Sequence, residues 1–364
     1  MIKKYPFYFK STVILFGIML SIYALLTLRD IMVPLAFSIL IAILLNPLIT
    51  WFQQKKIPPV LSIVIAMLIA FFVIAAILYF VSSQLISFKT DLPLFKQKFT
   101  DLFHISQQSI QHDFGIAVRQ QEQYIDNVKA SLKPFINTTI VTIFGSLAII
   151  VLLPVYTFLF LYYKKLILNF LFEIFDDKSS KEVAVVLHQT KGAIQNYMIG
   201  LLLEGLIVAI LNSLALMLLG VKYAILLGVI GAIVNVLPYL GGILAILFPV
   251  IIATVTKQGF HTQLEIVVAY IVIQFIDNHF LIPVIVSSRV KINALISIVI
   301  VLLGASIWGI PGMFLSIPFI GVLKIIFDHV PELQPWGKLL GDEIPTRHKG
   351  EKFLGFRRNA IKEK

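Results

Sequence analysis

The sequence predicts an all-α polytopic membrane protein. Of its 364 residues, 59% are apolar and only 13% are charged, and the mean hydropathy is +0.93. No soluble domain could bury that much apolar surface in its core. Two long apolar runs, 223–255 and 294–327, are each interrupted near the middle by glycine and proline. These observations predict about eight membrane elements, two of which are broken helical hairpins.

The first three predicted spans make up an N-terminal unit, residues 1–81. Their apolar runs cover 11–28, 31–52 and 60–81. The opening residues lack the small-x-small cleavage site of a signal peptide, so we expect the first span to be retained. Lys3, Lys4 and Lys10 precede this span, and basic residues favour the cytoplasmic side, so the N-terminus is expected there.

The remainder of the chain divides into an insert, a core and a tail. Residues 82–139 are polar with helical spacing of the apolar positions, which predicts an extracytoplasmic insert of amphipathic helices. Residues 140–327 are expected to form the transmembrane core, with spans at 140–163, 197–219 and 264–286 besides the two interrupted runs. Residues 328–364 are basic and are expected to form a cytoplasmic tail.

Each interrupted run is too long for one membrane crossing. A helix of roughly 33 residues reaches about 50 Å, whereas the hydrocarbon core is about 30 Å thick. Each run is therefore either a hairpin that returns to its own side or one kinked crossing. Length and flanking charges favour hairpins, with Lys257 outside and Arg289 and Lys291 inside.

The two breaks are candidate solute-contact sites, because irregular backbone persists in a membrane only where it lines a cavity or is buried in protein. The alternative is a tight turn that needs glycine and proline and binds nothing. The candidate residues are Asn235, Pro238, Tyr239, Gly241 and Gly242 in the first break, and Gly309, Pro311 and Gly312 in the second.

Polar side chains inside two predicted spans are further candidates for a substrate or ion pathway. Glu204 and Asn212 lie on the fifth span, two helical turns apart. Gln274, Asp277 and Asn278 stand at i, i+3 and i+4, so they share one face of the seventh element. A charge in hydrocarbon costs about 2.5–3.5 kcal/mol on insertion scales, so each carboxyl group needs an explanation. Both sets are interpreted either as an ion or proton site or as hydrogen bonds that hold helices together.

Several other classes of function lack support in the sequence. The net charge of +11 comes from basic residues at the edges of apolar runs, which is typical of membrane topology rather than of nucleic-acid binding. The chain has no cysteine, and His279 has no second histidine nearby, so no metal site is expected. No HExxH, GxSxG or Walker motif is present, so we expect no catalytic residues, no cofactor and no enzyme.

The chain resembles the AI-2E (autoinducer-2 exporter) family of bacterial membrane proteins. The resemblance extends from the first span to about residue 327 and is most specific in two blocks, 197–242 and 274–318. The first block contains Leu237-Pro238-Tyr239-Leu240-Gly241, and the second contains Gln274-x-x-Asp277-Asn278 and Gly309-x-x-Gly312. Where the family pattern has a glutamine soon after Gly200, this chain has Leu201 and carries Glu204 instead.

The resemblance implies a homo-oligomeric transporter with eight membrane elements and an extracytoplasmic insert. We therefore expect a secondary transporter that exports a small polar solute, such as the quorum-sensing signal autoinducer-2, across the bacterial inner membrane, driven by an ion gradient. The alternatives are a sodium or lithium/proton antiporter and a non-transporting assembly or sensor protein. Expected partners are the solute or a monovalent cation, the lipid bilayer and further copies of the chain.

Overall fold

The computed structural model describes residues 6–127, 130, 147–175, 177–237, 241–257, 259–286 and 292–342. Across these ranges the chain is helical and has no β-strand, which confirms the all-α class. A π-helical segment, Asp277–Val286, directly continues the tenth helix. The helices are α1 Phe7–Thr27, α2 Arg29–Gln54, α3 Pro59–Phe114, α4 118–127, α5 Leu147–Tyr162, α6 Lys164–Ile174, α7 Asp177–Leu218, α8 Ala224–Asn235, α9 Gly241–Thr256, α10 His261–Ile276, α11 Ala294–Trp308, α12 Ile310–His329 and α13 Gln334–Leu340.

The described helices are those of a multi-pass membrane protein. Five of them are long and apolar enough to cross a membrane, or six if α5 and α6, which bend by 63° at their junction, form one span. The shorter apolar helices α1, α8, α9 and α11 account for the other predicted elements. The number of eight membrane elements remains a prediction.

Two helices are longer than the sequence analysis anticipated. The predicted boundary between the third span and the insert, at residues 81 and 82, lies inside α3, which runs for 56 residues without interruption. Residues 82–92 contain neither glycine nor proline, so nothing there ends the helix, and α3 continues through Pro93. Likewise, α7 begins 20 residues before the predicted span at 197–219 and continues into it as one helix of 42 residues, Asp177–Leu218.

The part of the insert that the structure describes is a helical arm. α3 ends at Gly115, whose φ of +68° is the left-handed conformation typical of a helix C-cap. α4 then turns back, and the amide of Gln121 donates hydrogen bonds to the carbonyl oxygens of Gln107 and Ile116, at 3.1 and 2.8 Å. The rest of the predicted insert, at 128–129 and 131–139, lies outside the described residues, as does most of the basic tail.

The first interrupted run forms an antiparallel pair, α8 and α9, here called hairpin 1. A Cβ atom on Gly231 would lie 3.5 Å from the Cβ of Ala245, and one on Gly241 would lie 2.5 Å from the Cα of Asn235. At the base of the pair, the Nζ of Lys257 lies 3.1 Å from the Cβ position of Gly220, in the turn before α8. Both ends of hairpin 1 therefore lie at the same end of the bundle.

The second interrupted run forms another antiparallel pair, α11 and α12, here called hairpin 2. The hydroxyl of Ser316 donates to the carbonyl oxygen of Ile300 at 3.0 Å. At its base, the backbone nitrogen of Asn293 donates to the carbonyl oxygen of Leu340 at 3.0 Å, and Leu340 ends α13, which packs on α12. Because a single kinked crossing would separate the ends of a run by the bundle's full length, the described geometry favours the hairpin alternative for both runs.

The arm of α3 is anchored to the base of hairpin 1. Asp91 accepts hydrogen bonds from the ammonium group of Lys222 and the hydroxyl of Tyr223, and these contacts lower the pKa of the Asp91 carboxyl. The rings of Phe88 and Phe95 pack edge-on against Tyr223. Phe95 also belongs to the apolar core that hairpin 1 shares with α7 and α10. The arm and hairpin 1 therefore share one packed junction.

Replacing Gly312 with alanine is expected to destabilise hairpin 2. The added Cβ would lie 2.0 Å from the carbonyl oxygen of Gly304, which is backbone and cannot rotate away. Overpacking of this kind costs about 1–3 kcal/mol. The thermal unfolding midpoint of the protein purified in detergent should fall by several degrees.

The matched control is Gly205→Ala on α7, where an added Cβ would meet no atom within 4 Å. Its unfolding midpoint should stay at the wild-type value or rise, because alanine loses less backbone entropy in a helix than glycine. Equal midpoints for the two variants would contradict the close packing of α11 on α12.

Candidate functional site

The predicted polar face and the break of hairpin 1 border one cavity of about 780 Å³. It lies among α7, the break of hairpin 1, the junction of α10 with the π-helical segment, and Ser297 and Ile317 of hairpin 2. Its lining residues are Tyr197, Leu201, Glu204, Asn235, Val236, Leu237, Gly242, Ile243, Ile246, Tyr270, Ile271, Gln274, Asp277, Asn278, Ile282, Ile292, Ser297 and Ile317. The walls are mainly apolar, with a few amide, hydroxyl and carboxyl groups, as is typical of small-molecule sites.

Asp277 is the most deeply buried charged side chain of the cavity, with 1% of its surface exposed. Its Oδ2 accepts a hydrogen bond from the amide of Asn235 at 2.9 Å and a longer one from the amide of Gln274 at 3.3 Å. Its Oδ1 is buried and has no partner among the described residues. One carboxyl oxygen thus joins hairpin 1 to α10, and the other remains available for a ligand.

Asp277 also stands where α10 changes into the π-helical segment. Pro283 lies within that segment; proline has no N–H to donate, and its ring conflicts with the carbonyl of the preceding turn of an α-helix. A wider turn relieves this conflict, and π-helical turns are frequent at functional sites. The π-helix was not predicted from the sequence, although Pro283 was a signal from which it could have been inferred.

The residues at i, i+3 and i+4 share a face, as their spacing predicts. Gln274, Asp277 and Asn278 all line the cavity. Besides its bond to Asp277, the amide of Gln274 donates weakly to the Oδ1 of Asn278 at 3.4 Å. This chain of amides leaves both donor and acceptor atoms at the wall, which is the chemistry needed to orient a polar solute.

Gly242 allows hairpin 1 to approach α10 closely. A Cβ on Gly242 would lie 2.3 Å from the Oε1 of Gln274 and 2.9 Å from its Cδ. No side chain fits there without moving the Gln274 amide. Gly241 has a different role, since its Cβ position faces the backbone of Val234 and Asn235 rather than the cavity.

Glu204 supplies a second carboxyl group to the cavity. It is 6% exposed, makes no side-chain hydrogen bond with any described residue, and interacts electrostatically with Asp277. Two carboxyl groups repel each other when both are ionised, so a proton or a cation between them lowers the energy. The predicted pathway residues Glu204 and Asp277 are thus brought together.

Two lining tyrosines were missed by the sequence analysis. Tyr197 precedes Glu204 by seven residues on α7, and Tyr270 precedes Asp277 by seven on α10. Seven residues are about two helical turns, so each tyrosine lies on the same face as its carboxyl group. That spacing was the available signal, although aromatic residues in apolar helices are more often packing residues.

Other predicted site residues lie elsewhere. Asn212 is on α7 but faces Gly231 of hairpin 1 rather than the cavity. The tip of hairpin 2 contacts α1, where the indole of Trp308 donates to the carbonyl oxygen of Leu25 at 2.9 Å. The residues that line the cavity do not include Gly309, Pro311 or Gly312. Pro238 and Tyr239 lie outside the described residues.

The second break is shorter than the sequence indicated. Gly309 alone separates the two helices, with a φ of +65°, while Pro311 and Gly312 belong to the first turn of α12. Proline suits that position because N–H groups in the first turn of a helix have no hydrogen-bond partner within the helix, so the N–H that proline lacks is not needed there. The break therefore has the geometry of a tight turn, and contact of this turn with a solute stays a prediction.

Comparison with known proteins gives consistent matches over nearly the whole chain. The family model described as "AI-2E family transporter" matches residues 12–332. The chain is 26% identical over 317 residues to "Putative transport protein YrrI" of Bacillus subtilis, covering 84% of this chain and 88% of that protein. It is 23% identical over 315 residues to "AI-2 transport protein TqsA" of Escherichia coli K12, covering 86% and 90%.

Replacing Gly242 with alanine is expected to damage the site while leaving the fold intact. The new methyl group displaces the end of the flexible Gln274 side chain, so Asp277 loses one hydrogen bond. A typical hydrogen bond is worth about 0.5–1.5 kcal/mol, so solute flux in proteoliposomes should fall by up to about tenfold. The thermal midpoint should change little.

Gly241→Ala is the matched comparison, because its methyl group would meet the backbone of Asn235, which is far harder to displace. We expect this variant to unfold several degrees below wild type. If Gly242→Ala were the less stable of the two and still transported normally, the assigned contacts would be wrong.

Proposed function

Because this chain belongs to the AI-2E transporter family, we propose that it is a secondary transporter that exports a small polar solute, of the autoinducer-2 kind, across the bacterial inner membrane. Transport by a multi-pass membrane protein follows from the family itself. The solute, the direction and the coupling are our proposal. The N-terminus and the tail are taken to be cytoplasmic, as the basic residues indicate.

The observation that carries the proposal is the cavity between the break of hairpin 1 and Asp277. Its volume of about 780 Å³ is ample for a small organic molecule. The amides of Asn235, Gln274 and Asn278 offer donors and acceptors for hydroxyl or carbonyl groups, while Leu237 and Ile246 cover apolar faces. A neutral, oxygen-rich solute matches this combination.

Ion coupling is proposed to act through Asp277. Its Oδ2 holds the tip of hairpin 1 through Asn235, and its Oδ1 faces no protein donor among the described residues. A proton or cation at this carboxyl group weakens its attraction for the Asn235 amide, since charged acceptors form the stronger hydrogen bonds. Release of that bond would let the tip of hairpin 1 shift and expose the solute to the other side.

Glu204 fits the same scheme as the second carboxyl group of the cavity. When both carboxyl groups are ionised, their repulsion favours uptake of a positive charge. When the charge leaves, Asp277 regains its full attraction for Asn235. Such a cycle couples a proton or a monovalent cation to the movement of hairpin 1.

Nothing among the comparisons supports the sodium or lithium/proton antiport alternative. The matched relatives are named as transport proteins, which also favours transport over a non-transporting assembly or sensor role and over an enzyme. Homo-oligomer formation stays an expectation.

Asp277→Asn is expected to abolish gradient-dependent transport. Asparagine keeps the shape of the side chain and one acceptor oxygen but cannot take up a proton or neutralise a cation. Proteoliposomes of the wild-type protein with an imposed proton or sodium gradient should accumulate a solute from a panel that includes autoinducer-2. The variant should lose at least about 90% of the gradient-driven rate. That loss corresponds to an increase of more than about 1.4 kcal/mol in the activation free energy of transport.

The matched control is Asp30→Asn at the start of α2, an exposed residue outside the cavity lining, which should transport at the wild-type rate. Both variants should retain the wild-type elution profile and thermal midpoint. Undiminished gradient-driven flux in folded Asp277→Asn protein would refute the coupling role, and absence of any solute flux by wild type would count against the proposed substrate class.

A further inference from the structure

Two neutral polar side chains, beyond the cavity on the side predicted to be extracytoplasmic, each bury an atom that no described residue hydrogen-bonds. Asn212 on α7 is 2% exposed, and Tyr270 on α10 is 6% exposed. The Oδ1 of Asn212 and the hydroxyl of Tyr270 are both buried, and neither has a hydrogen-bond partner among the described residues. Buried polar atoms in folded proteins are almost always paired, with protein or with ordered water.

The two side chains meet over the same glycine. From the position that a Cβ would take on Gly231, the Nδ2 of Asn212 lies at 3.2 Å and the hydroxyl oxygen of Tyr270 at 3.6 Å. The Asn212 amide and the Tyr270 hydroxyl are therefore neighbours on the same side of Gly231. The structure records no hydrogen bond between the two side chains, and a bridging water molecule is the partner that suits two neighbouring buried neutral groups.

We propose that Asn212 and Tyr270 hold a buried water molecule against Gly231. This hydration site lies next to the cavity, on the side predicted to be extracytoplasmic. Two neutral groups and the absence of a carboxylate among them suit water better than a cation, which requires several oxygen ligands. The Cβ of Ala245, 3.5 Å from the same point, closes the apolar side of the site. Glycine at 231 keeps a methyl group out of the space beside the two polar groups.

The position of this site gives it a role in access to the cavity. Tyr270 also lines the cavity, so the proposed water lies beside a residue of the cavity wall. Asn212 lies eight residues beyond Glu204 on α7, about 12 Å further toward the end where Lys222 binds Asp91. That end is extracytoplasmic in the predicted topology. The hydration site therefore extends the polar route from the cavity toward the outside.

The sign of one stability change tests the proposal. If the hydroxyl of Tyr270 binds water that Asn212 also binds, Tyr270→Phe breaks a satisfied bond and lowers the thermal midpoint by several degrees. If the hydroxyl is unpaired, the same change removes an unsatisfied buried group and raises the midpoint. Tyr162→Phe, at an exposed tyrosine that stacks on Phe158, is the control for the substitution itself and should leave the midpoint unchanged.

A second variant tests the location of the water. Gly231→Ala places a methyl group beside both polar groups and should expel the water, so it too should lower the midpoint. In that background, Tyr270→Phe should cause no further drop. A rise in the midpoint for Tyr270→Phe alone, or a full additional drop in the double variant, would overturn the proposal.

A map of the wild-type protein that resolves ordered water gives an independent readout, which does not depend on transport or on the folding of any variant. The proposal requires a density peak within hydrogen-bond distance of both the Asn212 side chain and the Tyr270 hydroxyl. Well-resolved side chains with no such peak would overturn it.

Discussion

The hydrogen bond between the Asn235 amide and the Asp277 carboxyl is the interaction on which the rest of the site depends. A carboxyl group at this depth must be hydrogen-bonded or neutralised. Its partners come from the break of hairpin 1 and from the preceding turn of α10. The bond therefore fixes where the tip of hairpin 1 ends, and the cavity is the space that remains beside it.

Glycine makes that arrangement possible along hairpin 1. A Cβ on Gly228 would lie 2.6 Å from the backbone nitrogen of Ser213, so α8 packs almost directly on the backbone of α7. Gly242 then brings the start of α9 against Gln274. Hairpin 2 uses glycine differently, since Gly304 and Gly312 close the two helices on each other. The same sequence signal thus produces a polar wall in one hairpin and a packed turn in the other.

The sequence could predict those features of the fold and the site that depend on local residue patterns. The helical class, both interruptions and the shared face of Gln274 and Asp277 follow from hydropathy, glycine, proline and periodicity. The continuity of α3 past residue 81 could not be read from hydropathy, because a helix can leave the membrane without a change in backbone geometry. Gly309 does not line the cavity, and the tip of hairpin 2 contacts α1 instead. Such packing is a tertiary property that local sequence does not show. The wider turn at Asp277 had only Pro283 as its signal.

The central claim is that water and solute reach the middle of the bundle beside Asp277. The chain contains no cysteine, so single cysteines at Leu201 and Leu202 test it directly. These neighbours on α7 share one depth, but Leu201 lines the cavity whereas Leu202 is 60% exposed on the outer surface of the bundle. With a membrane-impermeant thiol reagent on protein in lipid vesicles, the account predicts that Leu201→Cys is modified and Leu202→Cys is not. An unreactive cysteine at 201, or equal reactivity at both positions, would contradict it.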